Sequence, residues 1–419
     1  MRRAAIATYA GAAAAVALAC TGCGASPRDD ALADASVPSG AARAGICRAT
    51  VLDALGRVAI RIYHEGVASE RTQTTRHLIA RSRALSSATE RGDAAGARTA
   101  AEALLATQHM AGLRVMRGRR LLASVGVARG LAPLSGAITG AGGRPVGRYL
   151  VTVWSYRGLI AETEGLTGAS VHVREGSHWL AGRLRLRAPS HQAQGTVTLH
   201  DIAGEYFSFP AAAYPTGSPL RMFVVRSVPP SSPLCGNSAL STIANTLSEV
   251  ARKIYRGEEG PRRLVQVQRV QRAQRLLHAV AAGDPAATRS AIDALLHQHL
   301  VRLRVSARGA LLADVGGPYV LAPVSAPLRL GGHTIGQAVL SIQDDQGYLR
   351  LAKRLAGLDV LMYMGSKLVQ SSFGGAPAAV PSRGSFSFRG RSFTTYTFKA
   401  QAFPSGPLRI TVLIPIPYG

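Results

Sequence analysis

The densest group of chemically capable side chains in this 419-residue chain lies in Ser341–Gly365, SIQDDQGYLRLAKRLAGLDVLMYMG. Gln343, Asp344, Asp345 and Tyr348 fall where a strand-like run hands over to a helix-like one, and together they could line a ligand pocket. Asp344 and Asp345 do not read as an acid–base pair: adjacent residues on strand-like sequence point to opposite faces and cannot easily share a substrate. The alternative is structural, with Asp345 capping the following helix and no function attached. His109, His297 and His299 are the next candidates, but no Cys or carboxylate cluster completes a set of three or four metal ligands. Helix-end capping or a packed imidazole is the better reading, and no metal or other cofactor is expected. Gly-x-Ser-x-Gly is absent, and Gly140-Ala141-Gly142-Gly143 lacks phosphate-loop spacing and precedes a strand-like run. These absences argue against an enzyme.

The elements around these residues occur twice. Leu113-Arg114-Val115 returns as Leu303-Arg304-Val305, Leu121-Leu122-Ala123 as Leu311-Leu312-Ala313, and Leu131-Ala132-Pro133 as Leu321-Ala322-Pro323. The shift is about 190 residues throughout, so the chain is a duplicated domain. Under this shift Gln343, Asp344, Asp345 and Tyr348 correspond to Trp154, Ser155, Tyr156 and Leu159. A carboxylate pair in one copy is thus an aromatic and hydroxyl cluster in the other, and Trp154 and Tyr156 join the candidate ligand residues.

Each copy predicts helices followed by strands. Val51, Leu55, Val58 and Ile62 recur at helical spacing, as do Ile243, Leu247, Val250 and Ile254. Two further helices are expected in each copy, the last starting at Asp93 and at Asp284-Pro285, where Asp caps and Pro fits the first turn, and ending at His109 and His299. Leu303 and Val305 alternate with Arg302 and Arg304, the period of a half-buried strand, and Ala307-Arg308-Gly309 reads as a hairpin turn. Phe386, Phe388, Phe393, Tyr396 and Phe398 mark the closing strands.

The net charge is +26, nearly all of it Arg, with lysine only at positions 253, 353, 367 and 399. No tract concentrates that charge with interleaved aromatics, so a nucleic-acid partner is not expected. Hydrophobic residues make up 47%, a globular composition.

Residues 1–23 read as an export signal: Arg2 and Arg3, then the uncharged run Ala4–Ala19. The following Cys20-Thr21-Gly22-Cys23 resembles a bacterial lipoprotein signal, with Cys23 (or Cys20) as the lipidated residue. Residues 24–46 read as a flexible tether. The domains then span 47–230 and 235–419, each headed by a cysteine. Outside the cytoplasm Cys47 and Cys235 could pair as a disulfide; two free thiols are the alternative.

The order of elements in each copy resembles the extracytoplasmic PAS-like sensor domains called Cache or PDC domains. The residues that carry the resemblance are Arg302–Val315, Val320-Leu321-Ala322-Pro323-Val324, Gly331–Ile342, Tyr348–Leu355 and the hairpin Leu358–Met364 with Lys367–Ser371. In the first copy they are Leu131-Ala132-Pro133-Leu134 and Pro145-Val146-Gly147. The resemblance implies an α+β fold of two tandem PAS-like domains, each with N-terminal helices followed by an antiparallel β-sheet. It departs from the family at Gly316-Gly317-Pro318-Tyr319, where the family usually inserts a long pocket-building segment. The function implied is a lipid-anchored extracytoplasmic sensor that binds a small molecule and signals to a membrane partner. The alternative is a structural or adhesive cell-envelope lipoprotein without a ligand.

Overall fold

The computed structural model describes residues 40–106, 110–181, 192–199, 202–257, 261–296, 300–317, 320–373, 377, 379–403 and 406–418. The expected signal with Cys20 and Cys23, the tether up to residue 39, and His109, His297 and His299 lie outside the described residues, as do Pro318 and Tyr319.

The first repeat runs α1 (Gly40–His64), α2 (Glu70–Arg81), α3 (Arg83–Arg91), α4 (Ala94–Leu105), β1 (Gly112–Arg117), β2 (Arg120–Gly126), β3 (Gly130–Leu131), β4 (Leu134–Thr139), β5 (Pro145–Thr152), β6 (Trp154–Ser155), α5 (Tyr156–Thr167), β7 (Ser170–Glu175), β8 (His178–Ala181), β9 (Gln194–Leu199), β10 (Ile202–Tyr214) and β11 (Pro219–Arg226). The second repeats that order: α6 (Ala239–Gly257), α7 (Pro261–Gln271), α8 (Gln274–Ala282), α9 (Pro285–Leu295), β12 (Arg302–Ala307), β13 (Ala310–Gly316), β14 (Val320–Leu321), β15 (Val324–Leu330), β16 (His333–Ser341), β17 (Gln343–Asp344), α10 (Asp345–Ala356), β18 (Asp359–Met364), β19 (Lys367–Ser371), β20 (Arg383–Phe388), β21 (Arg391–Phe403) and β22 (Gly406–Ile416). The α+β class and the tandem order, helices followed by antiparallel strands in each repeat, stand.

Four expectations are corrected. Helix α1 starts at Gly40, so residues 40–46 of the expected tether are helix. Three helices, not two, follow each leading helix, because the run breaks once more. Ser82 ends α2 in an extended conformation and its hydroxyl accepts from Leu85 N–H to start α3. Helices α4 and α9 end at Leu105 and Leu295, short of the two histidines. The caps at Asp93 and Asp284 form as predicted, each carboxylate accepting backbone N–H groups of the first turn.

The fourth correction concerns the sheets. Each repeat has two antiparallel sheets, not one: a four-stranded sheet ordered β2-β1-β5-β4 or β13-β12-β16-β15, and a seven-stranded sheet ordered β6-β3-β10-β11-β7-β8 or β17-β14-β21-β22-β18-β19, with β9 on β10 and β20 on β21. The chain changes sheet at Leu131-Ala132-Pro133 and again at Leu321-Ala322-Pro323. Ala132 and Ala322 take φ of 54° and 46°, left-handed values that turn the chain sharply out of the larger sheet. It returns at Val153 and Ile342. One hydroxyl holds both crossings together. Thr152 Oγ1 donates to the Leu131 carbonyl and accepts from Trp154 N–H (3.1 Å). Ser341 Oγ does the same for Leu321 and Gln343 (3.4 Å).

Helices α2–α4 cover the first small sheet, packing Ile79, Leu85, Ala97 and Ala101 on Leu113, Val115, Tyr149 and Val151. The second small sheet is covered in the same way. The large sheets are built differently: both face one core shared by the two repeats, and α1, α5, α6 and α10 lie within it. Val51, Leu52, Ala54, Leu55, Val58, Ala59 and Ile62 are all buried, a set too wide for one helix face. One side of α1 meets β10 and β11; the other meets α5, α6 and α10. Residues 40–419 therefore form one compact unit.

Cys47 and Cys235, 188 positions apart in sequence, are joined by a disulfide with Cα atoms 5.4 Å apart. A cross-link closing so long a loop restricts the unfolded chain strongly. Replacing both cysteines by serine is expected to lower stability by about 2–5 kcal/mol, read as a drop in the urea midpoint. A midpoint unchanged between the double variant and the oxidised parent would contradict this.

Candidate functional site

The junction before α10 is built by short-range demands. Strand β17 pairs Leu321 with Gln343 and Val320 with Asp344, which keeps both residues extended. Helix α10 must then start at Asp345, and its first N–H groups need an acceptor. Asp344 supplies it, accepting from Gly347 N–H. The cap is thus Asp344, not Asp345. Asp345 is buried at the first helical position, where Oδ1 accepts from Gln346 N–H (2.8 Å) and Oδ2 from the Gln370 side-chain amide (3.0 Å). Tyr348 is fully buried, and its hydroxyl donates to the Ala251 carbonyl of α6 at 3.0 Å. Burial pushes its pKa far above the usual phenol range. The Gln343 side-chain amide is buried with neither polar atom bonded among the described residues.

The first repeat solves the same problem with other residues. Ser155 caps α5, accepting from Gly158 N–H at 3.0 Å. Trp154 is wedged against Gly66 and Ala132, where a Cβ on Gly66 would run into the indole. The Arg71 guanidinium lies 5.1 Å from the centre of the Trp154 ring. Tyr156 is half-buried, and loss of solvation raises its pKa.

Four of the cavities bounded by described residues bear on the site. Two adjoin on the second small sheet, of about 400 and 410 Å³, sharing Arg308, Thr334 and Gly336. A third, about 320 Å³, lies between α1 and β9–β10 beside Arg48, Glu205 and Tyr206. The fourth, about 530 Å³, lies between α6 and β21, lined by Arg252, Tyr255, Arg256, Phe398, Lys399, Ala400 and Gln401. None is lined by Gln343, Asp344, Asp345, Tyr348, Trp154 or Tyr156. The structure brings those residues together at two strand–helix junctions, where Asp344, Asp345 and Tyr348 bond to backbone and side-chain partners while the Gln343 amide and Trp154 Nε1 are buried without a partner among the described residues. No group of three His, Cys, Asp or Glu placed to hold a metal occurs among the described residues.

Sequence reasoning missed the residues around the fourth cavity. The signal for them was in the repeat itself: Arg252, Arg256 and Lys399 stand where the first copy has Ile60, His64 and Pro210. Contacts between the copies were also missed. Glu65, buried after α1, pairs with Arg354 of α10. A Cβ on Gly357, the left-handed cap of α10, would meet Arg61 of α1, and one on Gly168, the cap of α5, would meet Lys253 of α6. Each leading helix thus sets a cation at the negative end of the other copy's helix.

His172 is a buried titratable group on β7, 6% exposed, with neither ring nitrogen bonded among the described residues. It stands cross-strand from Phe223, with Trp179 edge-on at 6.3 Å. Burial without a partner lowers its pKa to about 4.

If the α10 junction is structural, its variants cost stability and little else. Asp344→Ala should cost about 1 kcal/mol for the lost cap, and Tyr348→Phe about 1 kcal/mol for the lost hydrogen bond. Both would be read from urea midpoints at unchanged slope. For His172, the unfolded ring binds a proton near pH 6.5 and the folded ring near 4. Stability should therefore fall as pH drops from about 6.5 towards 4, by up to about 3 kcal/mol, and His172→Leu should remove that part of the profile.

No family model matches the sequence, and no curated protein does. Among solved structures, the chain is similar to the periplasmic domain of Vibrio cholerae LuxQ. One crystal structure of that domain aligns at TM-score 0.27 and 11% identity over 40% of this chain and 93% of that one, a second at 0.22 and 8% over 45% and 100%. An extracellular ligand-binding receptor from Desulfohalobium retbaense aligns at 0.23 and 10%, over 54% of this chain and 47% of the receptor. With similarity this low, function has to be read from the chain's own geometry.

Proposed function

We propose that the chain is an extracytoplasmic ligand-binding module in which two Cache-like repeats act as one body. In this reading it is held at the membrane by a lipid on Cys23 or Cys20 and passes ligand occupancy to a membrane partner. The observation that carries it is the position of α6. That helix forms one wall of the 530 Å³ cavity and also packs on α1, α5 and α10. A ligand touching α6 therefore contacts the layer that joins the repeats, and differential affinity for two packings of that layer is what a signal requires. The volume falls within the range of small-molecule sites. A disulfide between the heads of the repeats supports an oxidising compartment. No helix among the described residues is long and apolar enough to cross a membrane, so in this reading the lipid supplies the attachment.

The structural or adhesive reading has its own support: the polar residues picked out at the α5 and α10 junctions line none of the four cavities. A thermal-shift screen of the purified protein against amino acids, carboxylates, purines and polyamines separates the two. A ligand at about 100 times its Kd adds about 2.7 kcal/mol, which for a unit of this size is a rise of a few degrees in Tm. No rise with any class would favour the structural reading.

A further inference from the structure

The two copies share a frame at the α6–β21 cavity but not its charge. Tyr63 and Tyr255 correspond: the Tyr63 hydroxyl accepts from Ala212 N–H at 2.9 Å, and that of Tyr255 from Gln401 N–H at 2.9 Å. Each tyrosine also packs edge-on against its own phenylalanine, Phe209 at 6.0 Å and Phe398 at 6.1 Å. The anchor that holds the leading helix on its sheet is therefore the same in both. Around that anchor the first copy places Ile60, His64 and Pro210, and the second places Arg252, Arg256 and Lys399. Arg252, Tyr255 and Arg256 are spaced three and four apart on α6 and so share one face.

Arg252 is held in place. Its guanidinium lies 5.0 Å from the centre of the Tyr396 ring and 6.0 Å from that of Phe398, and Nη2 donates to the Tyr396 hydroxyl. Arg383 lies 4.8 Å from the same Tyr396 ring. One Nη2 hydrogen is used by Tyr396; the guanidinium has five in all. Among the described residues none of the ion pairs includes Arg252, Arg256 or Lys399. Among the described residues that line the cavity there is no carboxylate. An oriented guanidinium, two further cations and aromatic edges form a receptor for an anion, and the volume exceeds what a bare inorganic ion needs.

We infer that the α6–β21 cavity of the second repeat binds a small organic anion, its carboxylate or phosphate group held by Arg252 with Arg256 and Lys399, and that the matching surface of the first repeat does not. This rests on the ligand-binding reading and names its chemistry. The anionic group could belong to a free solute or to a lipid headgroup.

The test is titration calorimetry of the purified protein with citrate and with glycerol 3-phosphate, and co-sedimentation with vesicles of phosphatidylcholine alone or mixed with phosphatidylglycerol. Arg252→Gln, Lys399→Gln and, as a control that removes the same charge elsewhere, Arg289→Gln are compared. The expected result is saturable binding of a solute or of the anionic vesicles, about tenfold or more weaker in Arg252→Gln and Lys399→Gln and unchanged in Arg289→Gln. Which of the two probes binds identifies the source of the anion. Lys399 is exposed, so its variant tests the site even if Arg252→Gln fails to fold. Equal weakening in all three variants would reduce the effect to net charge and overturn the inference. So would binding unchanged in both site variants, or no saturable binding of any probe. A neutral ligand that raises Tm equally in the parent and in Arg252→Gln would leave the ligand-binding reading standing and this inference refuted.

Discussion

Helix α1 cannot be buried by its own repeat. Seven of its apolar residues, from Val51 to Ile62, are out of contact with water, and they spread over more of the helix than one sheet can cover. The large sheet of the first repeat takes one side, and α6 and α10 of the second take much of the other. The same need exists in α6, where Leu247, Val250, Ala251 and Ile254 are buried in the same core. Each repeat is thus half of a sandwich: a sheet, a layer of helices from both copies, and the other sheet. The polar details follow from this layer. Helices α5 and α10 end inside the assembly, so their C-terminal carbonyls need partners. Arg226 donates to the Thr167 carbonyl at 2.7 Å and Tyr418 to the Ala356 carbonyl at 3.0 Å. Lys253 and Arg61 add positive charge from the opposite copy.

A second constraint acts on the strands. A chain that moves between two sheets must break both ladders within a few residues without leaving a buried carbonyl unpaired. Thr152 and Ser341 meet it with one hydroxyl each, and Ala132 and Ala322 supply the left-handed turn. A larger side chain is disfavoured at Ala132, which is 1% exposed and lies against Gly66 and Trp154. This explains why Leu-Ala-Pro survives so recognisably in both copies. Its meaning is a change of sheet.

Much of the architecture was legible because local rules and the fold agreed. The stripes Val51–Ile62 and Ile243–Ile254, the Asp93 and Asp284 caps, and the alternation of Leu303 and Val305 each follow from a periodicity or an orphan backbone group. The break at Ser82 was not legible, since a serine that ends one helix and starts the next looks like any mid-helix serine. Nor were the two sheets per repeat, because β3, β6, β14 and β17 are two residues long and carry no period of their own. The candidate site is ambiguous in the sequence for a related reason. Asp and Ser at the start of a helix look the same whether they bind a ligand or the helix's own N–H groups, and here Asp344 and Ser155 do the second. Gln343 is a buried amide with no hydrogen-bond partner among the described residues.

Duplication makes it possible to separate scaffold from site without any relative to compare. Where both copies must meet the same physical demand, they keep the same solution: a hydroxyl at the crossing, a tyrosine pinning the leading helix to its sheet, a glycine under the opposing cation. The α5 and α10 junctions differ in residue type, yet Ser155 and Asp344 meet one demand, so their difference says nothing about ligands. The α6–β21 surface is the opposite case. Its anchor is kept, but Ile60, His64 and Pro210 are replaced by Arg252, Arg256 and Lys399, of which Arg252 is bonded to Tyr396 and none is in an ion pair among the described residues. Three like charges gathered at one cavity raise the energy of the protein alone. An anion bound there would offset that cost.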